Sequence, residues 1–496
     1  MHTKITRKKM AWPMVGILTM FAGGNVSPLQ AQKLADAPST VMLAKSIRQQ
    51  NDSASATGGI PMVSTLASDK NIRAASQQPA VGKRVDSIPA QLTIQQAEQI
   101  AIQNNPRISV GRLLARVQHQ VYRETRSAYL PQLDGGAVAA KADEASRFTF
   151  DNLRSTRLLT HLGGGLDLSQ LITDFGHTSN LIASSKLQEK AQNAHALASQ
   201  LDVVLMTDQA FYNALEAQAL VQVAQQTVDT RNATDEQIAE LTKNKLRSSI
   251  DQAFSTENVA RAKLLLLDAQ DQYNHDINAL TSLLGFDHAM QYTLVSDSGD
   301  TPLPPPDQDA LVQVALQQRP DLIELDYDQK AAKKYSRAER EQLLPTLSTL
   351  GVVGLTPIRD PKYFSSSWFG AIGLNLRVPI FNGFLYTSQA DAADERAKAD
   401  SENLRDLRDN VVRDVRNAWL QTNTSYQKIA VTEKLLQASN MGLELAQARY
   451  KLGLSSIVEL SDTQLEQTRA SIENINARVE YELSLAALNY QLGNLP

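Results

Sequence analysis

The chain repeats itself, and that duplication restricts its fold more than any other feature. "AIQNNP", ending at Pro106, recurs as "ALQQRP" ending at Pro320, and "AYLPQL" around Pro131 recurs as "QLLPTL" around Pro345; both pairs lie 214 residues apart. Later landmarks are spaced by 208: "LITDFG" faces "PIFNGF", Ala210-Phe211 faces Ala418-Trp419, Leu246 faces Leu454, and Gly285 faces Gly493. From Asp174 to Gly285 the copies align without a gap, which predicts two structural repeats of one design, at 90–302 and 308–493. The "LPPPD" run at 303–307 reads as the linker between them.

Each copy has the same grammar: two short helices, a Pro, two strand-like runs, one very long helix, a brief break and a second long helix. The strands are expected at about 132–146 and 158–173, then at about 346–357 and 368–381. In the last of these Ile372, Leu374, Leu376, Val378 and Ile380 alternate with Gly373, Asn375, Arg377 and Pro379. Its counterpart sets Leu166, Leu168 and Ile172 against Asp167, Ser169 and Thr173. Between paired strands, "FTFDNLRSTR" and "RDPKYFSSS" read as exposed loops. Beyond them the period changes from two to seven, through Val415, Thr422, Ile429, Leu436, Leu443 and Tyr450. Ile472, Ile475, Val479, Leu483, Ala486 and Tyr490 mark the facing side of an antiparallel return helix. Thr93 is the expected cap of the first ordered helix.

The basic start at Lys4, Arg7, Lys8 and Lys9, followed by "MAWPMVGILTMFAGG", reads as an export signal over 1–31, with cleavage expected after Ala31 or, as the alternative, nearer Gly24. Residues 32–89 are rich in Ser, Ala, Thr and Gln and read as a flexible mature N-terminal segment. The sequence has no cysteine, so an exported chain has neither disulfides nor a lipid-bearing Cys. The formal charge of −4, with no basic block beyond the first ten residues, argues against nucleic acid as a partner. No later stretch offers the ~20 apolar residues of a membrane-spanning helix, so a membrane location would have to be built from strands.

Four strands cannot close a barrel, and an open edge in lipid leaves backbone groups unpaired at several kcal/mol each. Several chains must then share one barrel; three would supply twelve strands around a water-filled lumen, continued by the helices as a coiled-coil tube. The fold expected is mainly α with a transmembrane β-barrel, formed as a trimer. Asp167, Ser169, Asn375 and Arg377 are the residues expected to face the lumen.

One break in the helical pattern stands out, in "RYKLGLSSIVELSD" at 449–462, where Gly453 interrupts the heptads and Glu459 and Asp462 follow three residues apart on one face. Taken alone, these acids read as solvated helix residues and Tyr450 as a seam residue. As a constellation, however, the features over about 90–494 resemble the TolC-type outer-membrane efflux proteins, trimeric channel-tunnels of Gram-negative bacteria. The resemblance rests on the duplication, the Leu-Pro entry to each first strand, and "VPIFNG" leading into a long helix. Phe384 stands where the family motif usually has a second Gly.

The resemblance implies a passive exit duct of a tripartite efflux or type I secretion system, placed in the outer membrane with a long periplasmic extension. It implies a homotrimer contacting outer-membrane lipid, opened at its periplasmic tip by an adaptor protein and an inner-membrane transporter, with no cofactor. Glu459 and Asp462 then become acidic rings at the pore entrance, favouring cations. Asp251, Tyr450 and Ser455 match the tip latch, Ser455 replacing the family's arginine. Lys245, Leu246, Ser248, Ser249, Gly453, Leu454 and Ser456 are the expected adaptor-docking tips. Lys245 replaces the usual Gly of the first turn, which argues against a left-handed residue there.

Enzyme chemistry has no support: none of the seven His has another three or four residues away, and GxSxG and HExxH are absent. His161 and His177 read as barrel or interface residues, and the glycines at 163–165 as strand glycines rather than a phosphate loop. A secreted coiled-coil scaffold or adhesin would also explain heptads and export, but not the duplicated period-two runs.

Overall fold

The structure, a computed structural model, describes residues 88–141, 147–150, 153–157, 161–288, 290–296, 302–355 and 368–494. The expected signal segment, nearly all of the N-terminal segment, and "RDPKYFSSS" lie outside the described residues.

The duplication is visible in the helix lengths. Helices α1 (Ile94–Asn104) and α2 (Pro106–Ser127) have 11 and 22 residues, and their copies α5 (Gln308–Gln318) and α6 (Pro320–Glu341) have the same. The long helices α3 (His177–Lys243) and α7 (Leu385–Lys451) have 67 residues each, roughly 100 Å at ~1.5 Å per residue. They return as α4 (Ser249–Leu283) and α8 (Ile457–Leu492). Thr93 caps α1 as expected, accepting from Gln96 N at 3.4 Å while the Gln96 side chain accepts from Thr93 N at 3.3 Å.

The recurring Gly285 and Gly493 have a steric cause. Both end a helical hairpin in the left-handed region, with φ +84° and +77°. A Cβ on Gly285 would come within 2.9 Å of Asn104, and one on Gly493 within 3.0 Å of Arg319. In each copy the corner between the two short helices therefore rests on the hairpin's end, and Asn105 secures the first contact by donating to the Leu283 carbonyl at 2.9 Å.

The strands form one antiparallel sheet of four, in the order β2 (Gln132–Ala140), β5 (His161–Thr173), β7 (Thr346–Leu355) and β8 (Trp368–Arg377). A short parallel pair, β1 (Gln91–Leu92) with β6 (Thr293–Leu294), ties the two ends of the first repeat. The register puts Asp134 opposite Asp167, Gln132 opposite Ser169, Ser348 opposite Asn375 and Thr346 opposite Arg377. All of these lie on one face, because directly opposed residues share a face and alternate residues return to it. The opposite face carries Leu133, Leu166, Leu168, Ile372, Leu374 and Leu376, all exposed in the single chain. Gly165 and Gly354 explain the glycine-rich run: a Cβ on either would meet backbone oxygen of the neighbouring strand at 2.7 Å.

Three expectations need correction. β8 stops at Arg377 rather than 381, since Pro379 lacks the N–H that a ladder requires. Within "FTFDNLRSTR" the described residues form strands, β3 (Arg147–Phe150) pairing antiparallel with β4 (Leu153–Arg157) across a register shift between Phe148 and Phe150. On α8 the fully buried row is Asn474, Ala477, Tyr481, Ser484 and Leu488, whereas Ile472, Ile475, Leu483, Ala486 and Tyr490 are half-buried and only Val479 of the expected face is buried. Small and polar residues take the seam because they bond across it: Thr422 donates to the Ser484 carbonyl at 3.1 Å and Asn474 to Thr432 at 3.3 Å. Among the described residues no helix is long and apolar enough to cross a membrane.

Candidate functional site

The two long hairpins end in turns built from the same bonds. In the first, Leu246 N donates to Leu241 O at 2.8 Å and Lys245 N to Thr242 O at 2.9 Å; in the second, Leu454 N donates to Arg449 O at 2.9 Å and Gly453 N to Tyr450 O at 3.0 Å. This pair of bonds needs a left-handed residue after the helix. Gly453 supplies it at φ +76°, and Lys245 does so at φ +59°, which overturns the expectation drawn from its side chain. The two carbonyls satisfied by the turn outweigh the ~1–2 kcal/mol that a left-handed L-residue costs.

The return helices start alike. Ser248 accepts from Ile250 N at 3.2 Å while Asp251 Oδ2 accepts from Ser248 N at 3.4 Å, and Ser456 accepts from Glu459 N at 3.2 Å. Asp251 and Glu459 are thus first-turn acids at equivalent positions, favoured there by the helix dipole. Glu459 also faces Arg449 Nε at 3.7 Å across its own turn, with both side chains about half exposed. Asp462 is exposed, and among the described residues no hydrogen bond or ion pair engages it.

Tyr450 is buried in an apolar cluster with Ile238, Ala446, Ile457 and Leu460, packed by Phe254 and Leu443, which joins the two hairpins just above their turns. Its hydroxyl is buried without a hydrogen-bond partner, as is that of Ser455. The Tyr450–Asp251 bond of the expected latch is therefore not made within the chain, where Asp251 is occupied in capping. Instead the Arg247 guanidinium lies over the Tyr450 ring, 4.6 Å from its centre. Burial pushes the Tyr450 phenol above its ordinary value, Arg247 opposing and Asp251 reinforcing the shift. The 208-residue spacing that pairs Leu246 with Leu454 pairs Arg247 with Ser455, so the missing arginine could have been sought in the other copy. The expected docking residues are solvent-facing, and Leu246 and Leu454 are joined by exposed Ile250 and Leu452, which sequence reasoning missed.

Among the described residues no group of His, Cys, Asp and Glu is placed to hold a metal. The geometry provides two helix-hairpin turns with exposed apolar residues, an exposed acid beside them, and a sheet with one mixed face, on which Asp134, Asp167, Ser169, Asn375 and Arg377 join Leu350 and Val352, and one largely apolar face.

A family model described as outer membrane efflux protein matches residues 97–286 and 311–494. Outer membrane protein TolC of Escherichia coli K12 is 24% identical over 434 residues, covering 81% of this chain and 82% of that protein. Cation efflux system protein CusC of Escherichia coli O157:H7 is 24% identical over 437 residues, covering 86% and 91%. Among solved structures, the Campylobacter jejuni CmeC outer membrane channel aligns with a TM-score of 0.72 at 17% identity, covering 88% of this chain and 94% of that one.

Proposed function

We propose, from the premise that this chain belongs to the outer membrane efflux protein family, that three copies close into one tube whose two kinds of helix tip form its periplasmic gate. The protein is an outer-membrane efflux channel, and channels of this kind work as trimers with an adaptor and an inner-membrane transporter. The observation that carries the trimer is an unequal environment for equal helices. α6 packs against both α3 and α7, whereas its copy α2 packs against α3 but no second long helix, leaving Val110, Leu113, Leu114, Val117 and Val121 in a half-exposed stripe. A neighbouring chain's α7 would complete α2 as this chain's own α7 completes α6. The sheet repeats the pattern, since the outer edges of β2 and β8 have no partner among the described strands. Joining them between chains closes the barrel, with Asp167, Ser169, Asn375 and Arg377 inside and the apolar face toward lipid.

In this reading the transporter and adaptor supply energy and choice, and the channel supplies a gated, water-filled exit without a cofactor. Leu246, Leu454 and the residues around them offer the adaptor apolar ends. Arg247 takes the place of the arginine absent at Ser455, and Glu459 and Asp462 line the entrance. The protein should extract only with detergent, run as a heat-resistant trimer and conduct in a planar bilayer. A detergent-free, soluble, non-conducting protein would overturn the reading and return the scaffold alternative, which the family match does not favour.

A further inference from the structure

One buried charge is left without a counter-charge. Arg231 of α3 is 8% exposed, and its guanidinium donates to the Gln464 side chain through Nη1 and to the Ser461 carbonyl through Nη2 at 3.4 Å, both on α8. Both acceptors are neutral, and no carboxylate pairs with Arg231 among the described residues. Burial pulls the guanidinium below its ordinary pKa, with no neighbouring acid to oppose the shift. Nor do these bonds exhaust it, since a guanidinium carries five N–H donors.

Beside Arg231 opens a pocket of about 160 Å³, walled by residues of α3, α7 and α8, and Arg231 is the one charged residue among those that line it. The rest of the polar wall divides by what its groups already do. Thr227, Thr230 and Thr468 direct their hydroxyl hydrogens to carbonyls of their own helices, at 2.8, 2.8 and 2.9 Å. The side-chain amides of Gln226 and Gln447 make no hydrogen bond among the described residues, and Ser471 accepts from Gln467 at 3.1 Å, which leaves its own hydrogen to donate. A cation and free donors thus share one pocket with no acid in it. Val223 and Leu443 supply its apolar wall.

Charge, shape and size select what fits there. A buried guanidinium held by neutral acceptors has lost hydration that an entering anion offsets. Its planar array of N–H groups suits a carboxylate, which accepts two parallel bonds, better than a spherical ion. The volume is close to the ~150 Å³ that encloses a benzene molecule, so a short-chain acid fits and a peptide segment does not. We propose that this pocket is a binding site for a small organic carboxylate, its head paired with Arg231 and the free amides of Gln226 and Gln447, its short chain resting on Val223 and Leu443. Binding requires no movement of either helix tip, so the site stands whether or not the tips form a gate.

The purified, detergent-solubilised protein titrated with sodium butanoate tests this, with sodium chloride holding the ionic strength constant. Ligand-observed NMR should show saturable binding, and the apparent melting temperature should rise by about 1 °C or more over that in chloride alone as the site fills. Arg231→Met should abolish both effects. Because that substitution alters a buried contact, Gln447→Glu gives a second measure: nearly isosteric, it leaves the Arg231 bonds in place and puts an acid into the wall. Butanoate binding should then weaken by about tenfold or more, through repulsion and through pairing of the new acid with Arg231, while a cooperative melt in chloride shows that the variant folds. A response to butanoate no greater than to chloride, or a parent-like response from Arg231→Met or Gln447→Glu, would overturn the site and leave the pocket to water.

Discussion

Lys245 and Gly453 occupy the same left-handed backbone position at the ends of the two 67-residue helices, with φ +59° and +76°. One is a glycine that adopts this conformation freely and the other a side chain held there by the turn's two hydrogen bonds. Lys245→Gly should therefore relieve strain; the relief of ~1–2 kcal/mol exceeds the few tenths to ~1 kcal/mol that glycine adds to the unfolded chain's entropy. The expected outcome is a small gain, about 1 °C or more in the apparent melting temperature of the detergent-solubilised trimer. Gly453→Ala should lower it, although no atom lies within 4 Å to clash with a new Cβ.

The Tyr450 hydroxyl is buried with no hydrogen-bond partner among the described residues, and Arg247 contacts the ring. Tyr450→Phe should accordingly leave stability unchanged or raise it by up to ~1–2 kcal/mol, since an unpaired buried hydroxyl is removed. Arg247→Ala should weaken the tip by about 0.5–2 kcal/mol through loss of the cation–π contact. Limited proteolysis at the turns and single-channel recording would report both. A marked opening by Tyr450→Phe would mean that another chain supplies the hydroxyl's partner in the trimer.

Asp208 on α3 is 8% exposed, faces Glu98 of α1, and has its carboxyl pushed up to about 8 by burial first and then by the neighbouring Glu98 charge and hydrogen bond. Glu98 is raised as well, again mainly by burial. The sign follows from proton counting: between the ordinary 3.8 and about 8 the folded chain binds protons that the unfolded chain releases, so stability declines across that window as pH rises. The apparent melting temperature should fall between pH 6 and 9, and Asp208→Asn should flatten that decline while keeping a hydrogen bond to Glu98. An identical slope in the variant would remove Asp208 from the account.

How much of this was legible in the sequence depended on whether the cause was local. Helix lengths, the Thr93 cap, the breaks near 245 and 453 and the shared face of Asp167, Ser169, Asn375 and Arg377 all follow from short-range pattern, and the duplication allowed one copy to check the other. The failures were long-range or energetic. Arg231 reads as an ordinary charged helix residue until α8 arrives to bury it, and α8's buried row is chosen by what bonds across the hairpin rather than by hydrophobicity. Lys245 misled because residue preference is weaker than a completed turn. Arg247 was missed because an arginine beside Tyr450 was sought only at position 455, in the other copy.

The two acids proposed for the entrance differ in their surroundings. Ser456 caps α8 by accepting from Glu459 N, and the Glu459 side chain sits 3.7 Å from Arg449 of its own chain, so part of its field is cancelled locally. Asp462, one turn further on and exposed, has no such partner. In a trimer three Asp462 carboxylates would carry the larger share of the attraction for cations. Asp462→Ala should therefore reduce cation preference, measured as reversal potential in asymmetric KCl, more than Glu459→Ala does. Arg449→Ala should increase it by freeing Glu459. The Arg449–Glu459 pair is half exposed, so breaking it should change stability by less than ~1 kcal/mol, and selectivity and folding can be read apart. If the double variant Glu459→Ala with Asp462→Ala kept the parent's conductance and cation preference, neither residue would line the entrance.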